Sequence, residues 1–209
     1  MSLKVGVLAL QGAFAEHFSM LNSLEAEATE VRLVSQLEGL DGLIVPGGES
    51  TTISNLMSEY GLLEPLKELA KSGFPVMGIC AGLILLGRLT TNSSYPLSSY
   101  KTMGVMDVVV KRNAFGRQVD SFEADLPIPS LGKNHFHCVF IRAPLIENVG
   151  AGVNILCQLP DNSIVAARQG NLITCAFHPE LTDDLRFHRY FLNIVKNSER
   201  TSEACQTKK

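Results

Sequence analysis

Apolar and polar positions along the chain fall into two patterns that take turns. Short runs rich in β-forming residues over 4–10, 30–34, 42–45 and 74–77 are separated by stretches over 14–24 and 51–70 in which apolar residues recur every three or four positions. The short runs predict strands and the longer stretches predict helices. Runs such as Leu43-Ile44-Val45 and Pro75-Val76-Met77 are apolar at successive rather than alternate positions. Strands of that kind are covered by helices on both faces, so the first half predicts βα units around a mainly parallel sheet.

The second half reads differently. Strand-like runs follow one another over 105–110, 136–141, 154–158, 164–167 and 172–177, and only one further helix is predicted, over 184–195, with Asp183 or Asp184 as its cap. The polar segment 90–101 predicts a surface loop, and the polar residues 197–209 predict a disordered tail. The fold expected is a single domain over residues 1–196, a three-layer, flavodoxin-like α/β sandwich. Its central sheet is mainly parallel, with antiparallel strands added by the second half.

Composition narrows the class without naming it. With 45% hydrophobic and 19% charged residues and a net charge of −3 over 209 residues, the chain is of a soluble globular type long enough for one well-filled core. There is no basic excess to suggest nucleic acid. No apolar run reaches the roughly 20 residues that span a bilayer, so a cytoplasmic protein that does not bind membranes is expected. The cysteines Cys80, Cys138, Cys157, Cys175 and Cys205 are odd in number and unclustered, which suggests neither a disulfide framework nor a zinc site. Cys138, Cys157 and Cys175 lie in strand-like runs and read as small buried hydrophobes.

Cys80 differs because of its neighbours. In Gly78-Ile79-Cys80-Ala81-Gly82 an apolar strand runs into an apolar helix. Glycines on both sides permit the sharp turn that lifts a nucleophile above a sheet. The free N–H groups of the helix start favour negative charge there, and that of Ala81 is placed to hold an oxyanion. A second element, Phe177-His178-Pro179-Glu180, ends the strand predicted over 172–177. Residues two apart in extended chain face the same way, so His178 and Glu180 are expected side by side, a base with its own orienting carboxylate. Each motif alone has an ordinary reading, a cysteine filling a tight turn and a solvated surface pair; together in one α/β chain they suggest a cysteine–histidine–glutamate triad. A third element, Pro46-Gly47-Gly48-Glu49-Ser50, follows a strand and precedes a helix, where open α/β sheets bind ligands. It also reads as a helix start capped by Glu49 or Ser50, and the two readings are compatible.

On these residues the chain resembles the class I, or triad, glutamine amidotransferase family. Further segments carry the likeness to the branch of glutaminases that serve pyridoxal 5'-phosphate synthesis: Val7-Leu-Ala-Leu-Gln-Gly12, Pro46-Gly-Gly-Glu-Ser-Thr-Thr52, Arg112-Asn-Ala-Phe-Gly-Arg-Gln118 with Asp120-Ser-Phe-Glu123, Ile141-Arg-Ala-Pro144 and His178-Pro-Glu-Leu-Thr182. One position departs from that branch, since Ile79 stands where threonine is usual.

The resemblance implies Cys80 as nucleophile, His178 as base and Glu180 as its orienter. It implies that L-glutamine is held by Gly48, Glu49, Ser50, Arg112, Ile141 and Arg142, with the backbone of Gly48 and Ala81 as oxyanion hole. The implied reaction releases ammonia and glutamate through a thioester, without metal or organic cofactor. It further implies a hetero-oligomer with a separate (β/α)-barrel synthase that consumes the ammonia to make pyridoxal 5'-phosphate. Three other readings stay open at this point: a glutaminase subunit of another amidotransferase, a γ-glutamyl hydrolase or cysteine peptidase on a related fold, and a non-catalytic subunit.

Overall fold

The computed structural model of the protein describes residues 2–89, 101–112, 114 and 121–206, with side chains described as far as residue 198. Apart from Lys101, the expected loop 90–101 lies outside the described residues. So do most of the Arg112–Gln118 segment and Asp120, and so does the side chain of Cys205.

Ten strands form one sheet. Five of them run parallel in the order β2 (Glu27–Val31), β1 (Lys4–Leu8), β3 (Gly42–Val45), β4 (Val76–Ile79) and β12 (Leu172–Cys175). Beyond β12 the sheet turns antiparallel through β11 (Ile164–Gln169), which also pairs with β10 (Asn154–Gln158), then β9 (Leu145–Val149) and β6 (Val108–Lys111). The short β5 (Arg88–Leu89) closes that edge, parallel to β6. A separate hairpin pairs β7 (Ser121–Leu126) with β8 (Phe136–Ile141). The fold class expected from the sequence, an α/β sandwich on a mainly parallel sheet with antiparallel additions, is the one observed.

The three layers follow from β3. A side chain at Gly42 would press on Val195 and Phe191 of the last helix, α5 (Arg186–Gln206). With the strand's period of two, Val45 faces the other way. There Gly82 of α4 (Ala81–Leu86) passes so close to the Val45 carbonyl that any side chain would collide with it. Helix α1 (Phe14–Ser23) lies on the α5 face, where His17 meets His188, and α2 (Ser50–Glu59) packs with α4. All four residues of β3, β4 and β12 are buried, as their unbroken apolar runs require.

Several boundaries differ from expectation. The helix expected over 51–70 is two, α2 and α3 (Leu63–Lys71). Gly61 takes a left-handed φ of 68°, while Leu62 N–H bonds Met57 O and Gly61 N–H bonds Ser58 O, the paired closure that ends a helix on glycine. The strand expected over 30–34 sits earlier, as β2, and Val34 instead begins a 3-10 turn, Val34–Leu37. The last helix starts later than expected and continues to Gln206, past the predicted end at residue 195. Asp184 does serve its start, accepting from Arg186 N–H at 3.0 Å.

Candidate active site

Four neighbouring parallel strands, β1, β3, β4 and β12, deliver their C-terminal ends to one place. Gln11 follows β1, Gly47 and Gly48 follow β3, Cys80 follows β4 and His178 follows β12. Where ligands bind open α/β sheets is this edge.

Cys80 stands at the turn from β4 into α4 with φ 49° and ψ −96°, a backbone conformation that residues with a Cβ seldom adopt. Two features hold it there. Its N–H bonds Cys175 O across to the end of β12 at 2.8 Å. The glycines on either side allow the helix to leave at once, since a Cβ at Gly78 would lie 2.5 Å from Leu86 Cδ1 and one at Gly82 would strike Val45. Ile79, the position that departs from the related branch, is fully buried in β4 opposite Cys175, so its side chain belongs to the core.

His178 is fixed from behind by aromatic packing. Phe177 is fully buried and meets Phe187 of α5 edge-on at 5.3 Å and Phe140 of β8 at 5.8 Å, a geometry that rings prefer. The next residue, His178, donates its backbone N–H to Val139 O of β8 at 2.8 Å. Its Nδ1 lies 2.7 Å from Glu180 Oε1. The sequence predicted this pairing from extended chain; the actual device is a 3-10 turn, Pro179–Leu181, with proline at its start. Both side chains are buried, Glu180 completely. Burial works to lower the His178 pKa, but contact with the Cys80 side chain and with Glu180 outweighs it and pushes the value up to about 10. The imidazole therefore holds two protons at neutral pH, one directed to Glu180. Gly47 lies directly against this ring, and a Cβ there would overlap His178 Cε1.

The loop after β3 is stitched to the loop after β1. Gly47 O accepts from Ala13 N–H at 3.2 Å, and Glu49 N–H donates to Gln11 Oε1 at 2.8 Å. A side chain at Gly12 would run into Gly47 O, and one at Gly48 would come within 2.6 Å of Gln11 Oε1. Glu49 is the N-cap of α2, accepting from the N–H groups of Thr51 and Thr52 at 3.1 and 2.7 Å. Partial burial opposes its charge, but those donors hold its carboxyl below the usual range. Its Oε1 also receives Arg112 Nη2 at 3.2 Å.

The resulting cavity, about 380 Å3, is lined by Cys80, His178 and Ala81 together with Gly48, Glu49, Ser50, Arg112, Ile141 and Arg142. All nine were singled out in the sequence. Glu180 stands behind His178 rather than in the wall. Gln11, Ile84 and Pro144 also line the cavity and were given no role. A glutamine just before a glycine at the end of the first strand was the available signal for Gln11. Cys138, Cys157 and Cys175 are buried as expected, and burial pushes the Cys175 thiol well up. Among the described residues no group of His, Cys, Asp or Glu is arranged to hold a metal, and no helix is long and apolar enough to cross a membrane.

Comparison with known proteins finds relatives along almost the whole chain. The pyridoxal 5'-phosphate synthase subunit PdxT of Dehalococcoides mccartyi is 55% identical over 194 residues, covering 93% of this chain and 98% of that protein. PdxT of Moorella thermoacetica is 54% identical over 193 residues, 92% of this chain and all of that one. A crystal structure of a glutamine amidotransferase, 47% identical, superimposes with a TM-score of 0.83 over 92% of this chain and 98% of its own. Residues 7–197 match a single family throughout, and the chain belongs to the SNO glutamine amidotransferase family.

Proposed function

We propose that residues 1–196 form one glutaminase domain in which Cys80, His178 and Glu180 hydrolyse L-glutamine and supply the ammonia to a pyridoxal 5'-phosphate synthase partner. The observation that carries this reading is the cavity itself, where an elbow cysteine and a carboxylate-backed imidazolium share a wall with two arginines. The relatives named as pyridoxal 5'-phosphate synthase subunits, matched over almost their whole length, support the pathway.

In this mechanism the Cys80 sulfur attacks the side-chain amide carbon of glutamine, and the carbonyl oxygen becomes an oxyanion. The backbone N–H groups of Gly48 and Ala81 receive it, and each such donor is typically worth about a hundred- to a thousand-fold in rate. His178, protonated at neutral pH, gives its proton to the departing nitrogen, which leaves as ammonia. Now neutral, the imidazole takes a proton from water, whose oxygen attacks the γ-glutamyl thioester and releases glutamate and the thiolate. Arg112 and Arg142 pair with the substrate's carboxylate, a task for which a planar guanidinium is suited. No step calls for a metal or an organic cofactor. The partner is a barrel synthase in a hetero-oligomer, and the setting is the cytoplasm.

The test is Cys80→Ala in the complex. Glutamine-driven synthesis should vanish while synthesis from added ammonium salts continues at the unmodified rate. Appreciable glutamate release by the variant would remove Cys80 as nucleophile. A panel of γ-glutamyl peptides, turned over faster than free glutamine, would favour the hydrolase reading instead.

A further inference from the structure

Glu180 has two oxygens, and the triad uses one. Oε1 meets His178; Oε2 is buried and has no hydrogen-bond partner among the described residues. Facing it at 3.8 Å is Nε2 of His17, from α1. His17 is itself fully buried, and its other nitrogen, Nδ1, lies 2.9 Å from Nε2 of the equally buried His188 of α5. His17 Nε2 and His188 Nδ1 also have no hydrogen-bond partner among the described residues. Leaving a buried polar atom unpaired is costly, because it gives up its bonds to water for nothing. Three such atoms gathered behind one catalytic side chain need a reason.

The proton between the two rings supplies it. Burial keeps both uncharged: it brings His188 down to about 4, and it lowers His17 well below its usual value, helped by the neighbouring His188 and His178. Two neutral arrangements remain. If His17 donates from Nδ1, its Nε2 turns a lone pair toward the Glu180 carboxylate, and His188 must carry a buried N–H at Nδ1 with no acceptor. If His188 donates from Nε2, the His17 proton sits on Nε2 and points at Glu180 Oε2. The lone pair of His188 Nδ1 is then the group left facing nothing of opposite polarity. The second arrangement replaces a repulsion with an attraction and trades a stranded donor for a stranded acceptor, so it prevails.

We infer that His17 is a positioning residue for the triad: its Nε2–H, with the tautomer set by His188, faces Glu180 Oε2 and keeps that carboxylate turned toward His178. At 3.8 Å the contact is longer than a hydrogen bond. It acts as an oriented dipole on a charge between two fully buried side chains, where such attraction is weakly screened. The titratable groups around Glu180 are then His178 on one oxygen, His17 on the other, and the Cys175 thiol nearby. A carboxylate that lost the His17 donor would be free to rotate away, and His178 would lose the contact that supports its imidazolium.

This inference rests on the triad reading, and the experiment separates the two. Glutamate release is measured in the complex with the barrel subunit for His17→Leu, which has no donor, and His17→Gln, whose amide nitrogen can occupy the place of Nε2. Cys80→Ala serves as control. Partners of this type around metal-bound histidines change activity about 10–100-fold, and a loss of that size in kcat is expected for His17→Leu. KM for glutamine should stay within about twofold, since the residue does not touch substrate. His17→Gln should recover most of the rate. Equal kcat for the two variants, with Cys80→Ala dead, overturns the positioning role and leaves the triad standing; turnover by Cys80→Ala removes the triad and this inference with it. Nitrogen NMR of the unaltered protein gives an answer that depends on no variant: both His17 and His188 should be neutral and protonated on Nε2 at pH 7, and a His17 protonated on Nδ1 overturns the assignment.

Discussion

The parallel and antiparallel halves of the sheet bring different things to the same cavity. From the parallel half come Cys80, His178 and the Gly47–Gly48 turn, each held by backbone bonds to a neighbouring strand or loop, with Glu180 buried behind. From the antiparallel half and the hairpin come Arg112, just past β6, and Ile141 with Arg142, at the end of β8. Ile141 is 38% exposed and Arg142 lies at the surface with a left-handed φ of 42°. Groups proposed to make and break bonds sit where the core over-determines their positions, whereas Ile141 and Arg142, proposed to recognise substrate, are exposed at the end of the hairpin. Bond-making tolerates errors of well under 1 Å, whereas a charge pair tolerates more.

The sharpest way to break that contrast is Gly47→Ala, a change of one methyl group in the rigid half. The new Cβ would displace the His178 ring, and a shift of about 1 Å in a catalytic group can cost on the order of a hundredfold. Glutamate release by the complex should fall by about that much in kcat, and the melting temperature should fall too, since overpacking a buried site typically costs about 1–3 kcal/mol. A variant as fast as the parent would show that the ring position is not critical.

Smaller effects are expected on the recognition side. Arg112→Ala or Arg142→Ala removes a charge-assisted hydrogen bond to substrate, worth about 1.5–3 kcal/mol, and should appear as a raised KM with kcat largely kept. Because Arg112 also pairs with Glu49 and contacts Thr51, its loss should loosen the start of α2 as well, and the Arg142 variant should not. Steady-state kinetics that leave both constants unchanged for either arginine would take that residue out of the site.

A separate effect is on stability against pH, and here His178 and the buried His17–His188 pair oppose each other. His178 is raised from 6.5 to about 10, so its contribution is complete below about pH 6.5 and is lost as pH rises through about 10. His188 is lowered from 6.5 to about 4, and His17 well below its usual value. The unfolded chain binds a proton there that the folded one resists, so stability is lost as pH falls from about 6.5 towards 4. Melting temperatures should fall on both sides of neutrality, and His188→Leu should flatten the acid side relative to the parent. An unchanged acid side in the variant would mean that His188 is not the group responsible.

Much of this arrangement was legible because it is local. The glycines around Cys80, the Phe177-His178-Pro179-Glu180 segment and the apolar runs of β3 and β4 state their structure in a few consecutive residues. What was missed depends on contacts distant in sequence. Strand β7, Ser-Phe-Glu-Ala-Asp-Leu, carries acidic residues on its exposed face and declares itself only by pairing with β8. Strand β9 is likewise half exposed and is defined by β6 and β11. His17 sits on an ordinary amphipathic helix, and nothing near it in the chain indicates a histidine 171 residues away. Gly61 was visible as a helix breaker, yet the apolar periodicity on both sides of it concealed the break.

The bonds that join the loop after β3 to the loop after β1 have a consequence for isotope exchange. Ala13 N–H is covered by Gly47 O, and Glu49 N–H by the side chain of Gln11. These amides lie on different segments, but turning the Gly47–Gly48 peptide breaks the first bond and carries Glu49 away from the second. In deuterated water the two protons should exchange at a common rate set by one opening event. A ligand or partner that fixes the loop should slow both by the same factor, which makes this pair of amides a clock for the state of the site in the absence of any turnover.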